Sequence, residues 1–336
     1  MRDLKNKLTT SGKGSTNIQS RRGKSFGYQV LGFGSGGEKP AFVAASGGTE
    51  ATVCTNYKTH IFTGPGTFCV SVAGNSGGSN TVDYQVVAGG GGGGGVGGGG
   101  GGGGYRESVP SPAAWTASPI ANPGGALPVS VQGYPIVVGG GGPTSPSPVL
   151  PGGQGVDSSF STITSAGSGG GGGHGRVGEA GGSGGGGGFP STCCGCGAGN
   201  TPPVSPAQGT SGGHGNATNC YAGGGGGATE GGFNGGGGTG GGRGGTGATT
   251  NITASPVSYS GGGGGATNGS GPEPTGAASP CGTGKAGAKG CVTGPSACAN
   301  TGGGAGGGSH RQFPPGGSAP GGAGGSGIVV LRYKFQ

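Results

Sequence analysis

Bulky apolar residues alternate with small or polar residues in several short runs between residues 25 and 88. The clearest runs are 26–33, 67–72 and 82–88, and the turn signal Gly64-Pro65-Gly66 precedes the second of them. A period of two residues is typical of strands that bury one face. Residues 25–88 are therefore predicted to form a small antiparallel β domain.

A further run with strand character, Ile-Val-Val-Leu-Arg-Tyr-Lys-Phe, occupies residues 328–335. A single strand leaves backbone donors and acceptors unpaired, so it needs a partner. The N-terminal sheet can supply one beside residues 82–87. Residues 328–336 are therefore predicted to be a C-terminal strand that pairs with the β domain.

Residues 89–327 consist of glycine blocks separated by spacers rich in Pro, Ser, Thr and Asn. The blocks span 89–95, 97–104, 139–142, 169–173, 184–188, 223–227, 235–238, 261–265 and, with one interruption, 302–308. At about 3.1 Å per residue in an extended three-residue helix, five to eight residues span roughly 16–25 Å. Blocks of matched length can stack as one bundle whose spacers turn at its two ends.

The amino-acid composition indicates how such a bundle is held together. Glycine supplies 105 of the 336 residues, whereas Leu, Ile, Val and Phe together number 45, too few for an ordinary core. Disordered chains of low hydrophobicity usually carry a high net charge, but only 8% of the residues are charged here. In polyglycine II, three-residue helices lie side by side and hydrogen-bond to their neighbours. This packing is favoured over a flexible linker and over collagen, whose Gly-X-Y period is absent.

The predicted fold class is accordingly mainly β and irregular. It comprises a small antiparallel β-sheet domain plus a polyglycine II helix bundle with Pro/Ser/Thr loops at residues 89–327, closed by the C-terminal β-strand.

The net charge of +8 is concentrated at the N-terminus. Residues 1–24 contain one acid and seven basic side chains, Arg2, Lys5, Lys7, Lys13, Arg21, Arg22 and Lys24. Such a segment can be a solvated tail or can dock to an acidic surface or nucleic acid. No aromatic residue precedes Phe26, so base stacking and a nucleic-acid partner are not expected. We interpret residues 1–24 as a docking arm, and they lack the apolar stretch of a secretion signal.

Two sequence stretches resemble the ends of a known glycine-rich domain. Asp83-Tyr84-Gln85-Val86-Val87-Ala88 before a long glycine block is similar to its Y-x-V-V-A-G-G-G-G-G opening. The stretch Gly-Ser-Gly-Ile-Val-Val-Leu-Arg-Tyr at 325–333 is similar to its G-G-S-G-I-V-I-x-R-Y end. Between them, 157–160 resembles its recurring S-S-F unit. The resemblance covers about residues 60–336 and is to the polyglycine II type of domain in tailed-phage tail-fibre and virion proteins.

The resemblance implies a non-enzymatic virion structural protein, either a tail fibre or adhesin or an exterior capsid protein, that displays loops for host-surface attachment. Expected partners are other virion proteins, further copies of the chain, and a host-surface glycan or outer-membrane protein. Its expected location is the virion, assembled in the host cytoplasm. The alternative is an extracellular glycine-rich filament, matrix or ice-binding protein.

Nine cysteines leave three possibilities open: disulfides that staple loops, free thiols, or metal ligands. They are Cys54, Cys69, Cys193, Cys194, Cys196, Cys220, Cys281, Cys291 and Cys298. The cluster at 193–196, with His214 nearby in sequence, lacks a C-x-x-C pair, so no metal site is predicted. The nine carboxylates are scattered singly, and glycine-rich nucleotide motifs match by composition alone. No enzyme activity, cofactor or small-molecule substrate is therefore expected.

Aromatic residues in the spacers are candidates for surface contact, because a rigidly held ring suits binding to a sugar or protein. The alternative is that they plug the ends of the bundle or bury themselves against a neighbouring subunit. They are Tyr105, Trp115, Tyr134, Phe189, Tyr221, Phe233, Tyr259 and Phe313.

Overall fold

The computed structural model describes residues 39–110, 114–189, 195–216, 220–236, 240–267, 275–279, 282–311 and 317–336. Within these ranges the chain forms fifteen β-strands and no α-helix, which confirms the mainly β and irregular fold. The arm predicted at residues 1–24 and the strand-like run at 26–33 lie outside the described residues.

The fifteen strands range from two to eight residues in length. They are β1 Val43–Ser46, β2 Thr49–Val53, β3 Tyr57–Phe62, β4 Gly66–Ala73, β5 Thr81–Val87, β6 Tyr105–Glu107, β7 Leu127–Pro128, β8 Gly133–Val137, β9 Ser158–Phe160, β10 Ile163–Ser165, β11 Ala248–Thr250, β12 Val257–Tyr259, β13 His310–Arg311, β14 Gly317–Ser318 and β15 Ile328–Lys334.

Two antiparallel sheets form what we call the β platform. The first has the order β1-β4-β8-β9-β10, and the second has the order β2-β3-β15-β5-β6 with β7 added beside β5. The chain crosses from the first sheet to the second at Gly47 and Gly48, whose φ angles of +113° and +64° favour glycine. A Cβ on Gly47 would lie 2.1 Å from the carbonyl oxygen of Thr67, so this crossing has no room for a side chain.

The main hydrophobic core lies between these two sheets. Alternation along β4 buries Phe68 and Val70 and exposes Thr67, Cys69 and Ser71. Aromatic and branched side chains from β3, β5, β8, β9 and β15 complete the core. The strands β8, β9 and β10 also belong to the platform, although they lie in the glycine-rich range 89–327 and outside the β domain predicted at 25–88. Short apolar runs in that range supply residues such as Ile136 and Phe160 to the core.

The C-terminal strand β15 is confirmed and occupies the middle of its sheet. It pairs with β3 on one side and with β5 on the other. Val329 and Leu331 face the main core, whereas Ile328 and Val330 face a second cluster with Ile252 and other residues beyond the platform. Because both of its faces are buried, β15 joins the two parts of the molecule.

The glycine segments beyond the platform form a second part, which we call the glycine body. It begins where β5 ends and returns to the platform at β15, and it includes the hairpins β11–β12 and β13–β14. We call the end that contains the turn at 95–97 the distal end, because residues 89 and 104 adjoin β5 and β6. In the described part of the chain, no helix is long and apolar enough to cross a membrane.

Candidate functional site

The first glycine segment of the body, 89–95, hydrogen-bonds to three different neighbours in strict rotation. Gly89, Gly92 and Gly95 donate to carbonyls at positions 156, 153 and 150. Gly90 and Gly93 donate to positions 325 and 322, and Gly91 and Gly94 donate to positions 101 and 98. These N···O distances are 2.9–3.0 Å. The partner therefore changes at each residue and recurs at every third residue.

The second segment, 97–104, is surrounded on all sides. Its N–H groups donate in rotation to 302–308, to 166–172 and to 223–226, at 2.7–3.1 Å. Its carbonyls accept hydrogen bonds from 263–266, from 91–94 and from Gly186. Six neighbouring stretches of chain thus form hydrogen bonds with one central segment, and every N–H of that segment is bonded.

Contacts at the central segment explain why its eight consecutive residues are glycine. A Cβ added at any position from 97 to 104 would lie 1.9–2.6 Å from an oxygen or carbon of a neighbouring segment. Real Cβ contacts are essentially never under 3.0 Å. The body therefore packs through main-chain contacts, in which the peptide groups themselves fill the interior.

The junction between the body and the platform is built around buried Glu107. Its carboxylate accepts hydrogen bonds from Tyr105 Oη (2.9 Å), Trp115 Nε1 (3.3 Å), the Ser118 N–H (2.8 Å) and the Thr250 hydroxyl. Burial, followed by the negative charge of Glu107, raises the pKa of Tyr105 well above its usual range. These four donors on one buried carboxylate stabilise its charge, and none of the four is a lysine or an arginine.

Arg332 on β15 is fully buried at the same junction. Its guanidinium donates to the carbonyl oxygens of Ile252 (2.8 Å) and Ala114 (3.3 Å). It also lies over two rings, 4.6 Å from the centroid of Tyr57 and 4.9 Å from that of Trp115. Cation–π contacts of this kind are strongest where water is excluded, so Arg332 fastens the loop around Trp115 to the platform.

Asp83 on β5 lies beside this junction, opposite Arg332 in the strand pairing. Burial raises the pKa of Asp83 to about 6, although a hydrogen bond from Ser108 Oγ (2.8 Å) and the charge of Arg332 both act to lower it. Asp83 is therefore less stable as a carboxylate here than in water.

The eight aromatic residues proposed for surface contact occupy different environments. Tyr105, Tyr134, Phe189 and Tyr259 are buried. Phe189 packs with Val96, Ala222 and Ala266 at the distal end. Trp115 and Tyr221 are partly exposed, and Phe313 lies outside the described residues. Among the described members of this set, Phe233 is the exposed one, with 46% of its surface accessible.

Phe233 is held in a polar arrangement that the sequence did not indicate. The Arg243 guanidinium lies 4.1 Å from the centroid of its ring and donates to Glu230 Oε1 at 3.0 Å. Hydrogen bonds from Arg243 and Thr246 lower the pKa of Glu230. These residues come from two segments that are close in sequence, 230–236 and 240–247, which lie side by side and are joined by the bond from Phe233 N to Arg243 O (2.9 Å).

A depression of about 580 Å³ opens beside this ring. Glycine backbone forms much of its wall, together with the side chains of the residues around it. The lining residues are Phe233, Asn234, Gly236, Gly241, Gly242, Arg243, Thr275 and Ala277. A cavity of this size is within the range of small-molecule sites, so the Phe233 depression is the candidate contact site.

The six described cysteines are free thiols, so the disulfide alternative does not apply among them. They are Cys54, Cys69, Cys196, Cys220, Cys291 and Cys298; the other three, Cys193, Cys194 and Cys281, lie outside the described residues. Cys196 Sγ lies 3.8 Å from His214 Nε2. In the described ranges, no group of three or more His, Cys, Asp and Glu side chains is placed to hold a metal ion.

A family model described as a glycine-rich domain matches residues 63–334. This range includes the entire glycine body and the platform strands from β4 onward, whereas β1, β2 and β3 precede it. No curated protein matches the chain.

Proposed function

The chain belongs to the glycine-rich domain family, and from this premise we propose that it is a non-enzymatic structural protein of a virus particle. The proposed particle is a tailed phage, and the proposed location is a tail fibre, an adhesin or the capsid exterior. The observation that carries the proposal is the central segment 97–104, which forms hydrogen bonds with six neighbouring stretches of chain. A body of this kind suits the rigid presentation of loops outside a cell.

Rigidity follows from the hydrogen-bond repeat. A partner that recurs every three residues is the pattern expected of three-residue helices bonded side by side, so we infer that the glycine segments adopt polyglycine II. An eight-residue segment of this type is about 25 Å long. Since each N–H of 97–104 is already bonded, bending the body requires several hydrogen bonds to break together.

The use of charged residues also supports a structural role. Glu107 and Arg332 are buried and engaged by protein groups at the junction, where they hold the body to the platform. Exposed side chains belong mainly to spacers and to the outer segments, as Phe233 does. The proposed protein therefore keeps a fixed interior and offers its periphery to other virion proteins, to further copies of itself and to the host surface.

The free cysteine thiols support a proposal that the protein is assembled inside a cell. Free cysteines are typical of proteins that fold in a reducing compartment, and the six described cysteines are free. We propose that the chain folds in the host cytoplasm and is built into the particle there, with residues 1–24 docking to another virion component.

Mass spectrometry of purified phage particles tests the proposal. The expected result is the chain at a constant copy number per particle, with antibody labelling on fibres or on the capsid exterior by electron microscopy. Recovery of the chain only from host extracellular filaments or matrix would overturn the proposal in favour of the alternative role.

A further inference from the structure

Phe233 is exposed, but the residues around it do not have the composition of a protein-binding patch. Its ring is nearly half accessible, yet the residues around the depression are glycines, Asn234, Thr275, Ala277 and Arg243. Stable protein interfaces bury roughly 800 Å² on each partner around a cluster of apolar side chains. Among the described lining residues, Phe233 is the aromatic one and stands within a polar rim, which suits a ligand that is apolar on one face and polar at its edge.

The electrostatics of the depression favour a neutral ligand. Among the described residues that line it, Arg243 is the charged one, and its guanidinium is paired with Glu230 at 3.0 Å. Thr246 also donates through its hydroxyl to that carboxylate. The positive charge is therefore compensated within the protein, whereas a site for a phosphate or a carboxylate normally leaves a cation available.

The scaffold under the ring is fixed before any ligand arrives. Phe233 N donates to Arg243 O at 2.9 Å, and Phe233 O accepts from Gly224 N at 2.9 Å. Gly242 N donates to Ala222 O at 2.8 Å. Asn234 Oδ1 accepts from the His214 N–H at 2.8 Å, so the remaining hydrogen-bonding capacity of this amide is mainly that of a donor. Preorganisation of this kind reduces the entropy lost on binding.

From these features we propose that the Phe233 depression binds a neutral hexopyranose ring of a surface polysaccharide, an assignment that rests on the proposed role in host attachment. The partly positive C–H groups of one sugar face lie against the face of the phenyl ring that Arg243 does not cover. The hydroxyl groups at the sugar edge meet Asn234 and the peptide groups of the glycine wall. The 580 Å³ volume accommodates one or two rings.

The test uses the full chain and saturation-transfer NMR with methyl glycosides of glucose, galactose, mannose and N-acetylglucosamine. Methyl glucuronide and sialic acid serve as charged counterparts. We expect at least one neutral glycoside to receive saturation at the C–H groups of one ring face, with weaker transfer to the charged sugars. Binding by none of the neutral glycosides, or a preference for the charged sugars, would overturn the assignment.

Variants then locate the site. Phe233→Ala and Phe233→Leu should weaken the affinity about tenfold or more, whereas Phe233→Tyr should keep it within about threefold. Val177→Ala removes another exposed apolar side chain and should change nothing. Unchanged binding in Phe233→Ala would place the sugar elsewhere, and full binding in Phe233→Leu would indicate a generic apolar contact such as a protein side chain. Either result contradicts the proposal.

The sugar site and the virion role can be refuted independently of each other. If particles contain the chain but no neutral sugar binds, the sugar site is refuted and the virion role stands. If the sugar binds through Phe233 but particles lack the chain, the binding site stands and the virion role is refuted.

Discussion

Replacing Gly100 by alanine places one methyl group at the centre of the glycine body. The added Cβ would lie 2.1 Å from the carbonyl oxygen of Gly91 and 2.6 Å from its carbonyl carbon. Both atoms are backbone, so neither can move aside by rotating a side chain. The two segments must separate by roughly 1 Å to reach an ordinary contact distance.

That separation acts on hydrogen bonds as well as on packing. Gly91 N donates to Gly101 O, Gly100 N donates to Ala305 O, and Gly263 N donates to Gly100 O, each at 2.9 Å. A shift of about 1 Å breaks one or two of them, and each buried polar group left unpaired costs about 1–3 kcal/mol. Overpacking adds about 1–3 kcal/mol. Together these costs lower the expected free energy of unfolding of Gly100→Ala by about 2–9 kcal/mol, a large part of the stability of an average protein.

Gly140→Ala is the matched control. Gly140 belongs to another glycine block, but a Cβ there meets nothing within 4 Å, and its φ lies outside the left-handed region. Alanine at such a position restricts the unfolded chain and stabilises the fold by about 0.4–1 kcal/mol. The two substitutions, chemically identical, are therefore expected to change the stability in opposite directions.

Denaturant unfolding followed by circular dichroism measures both effects, and hydrogen exchange measured by mass spectrometry locates them. In the unmodified protein, amides 97–104 should exchange only through large-scale opening. In Gly100→Ala, exchange should accelerate in segments 89–104 and in their neighbours. Equal stability of the two variants, or exchange at 97–104 as fast as in an unstructured peptide, would refute the tight main-chain packing.

Three further predictions concern the junction between the platform and the body. The pKa of Asp83 is raised from 3.8 to about 6, so the unmodified protein loses stability as the pH rises through this window. The free energy of unfolding of Asp83→Asn, relative to the unmodified protein, should therefore increase by up to about 3 kcal/mol between pH 4 and pH 7.5. A constant difference in denaturant midpoints across that range would contradict this prediction. Glu107→Gln places one acceptor oxygen and an N–H₂ group among four donors, so the free energy of unfolding measured with denaturant should fall by about 2–4 kcal/mol. The control Glu179→Gln should change it by less than about 0.5 kcal/mol. Arg332→Lys keeps the positive charge but removes the planar guanidinium that contacts the rings of Tyr57 and Trp115. Because Trp115 is the single tryptophan of the chain, the emission maximum of the folded protein should shift. An unchanged emission spectrum would show that this contact is unimportant.

The strands were predictable where apolar residues alternate with polar ones. Residues 67–72 and 82–87 lie in β4 and β5, and the run at 328–335 contains β15. In β4 the alternation determines which face each residue occupies, because a shift by one residue would place Phe68 on the solvent face. The same signal was available for β8 and β9, whose short apolar runs belong to the platform although they lie in the glycine-rich range.

The partners of the glycine segments were not predictable from the sequence. Every residue of 97–104 is the same, so no side chain distinguishes one alignment from the next or one neighbour from another. The Phe233 site depends on those partners, since Arg243 reaches the ring only because segments 230–236 and 240–247 lie side by side. Single carboxylates such as Glu107 gave no sign of their four donors, which come from separate parts of the chain.

The central position of β15 has a consequence for how the protein is made. β5 ends at Val87 and β15 begins at Ile328, so the strands that flank β15 leave the ribosome long before it does. Until β15 arrives, β3 and β5 have no common neighbour and present open edges with apolar faces. Contacts this distant in sequence make folding slow and leave nascent chains prone to aggregate. Synthesis of the glycine body must therefore be finished before the platform can close, which makes the two parts one folding unit.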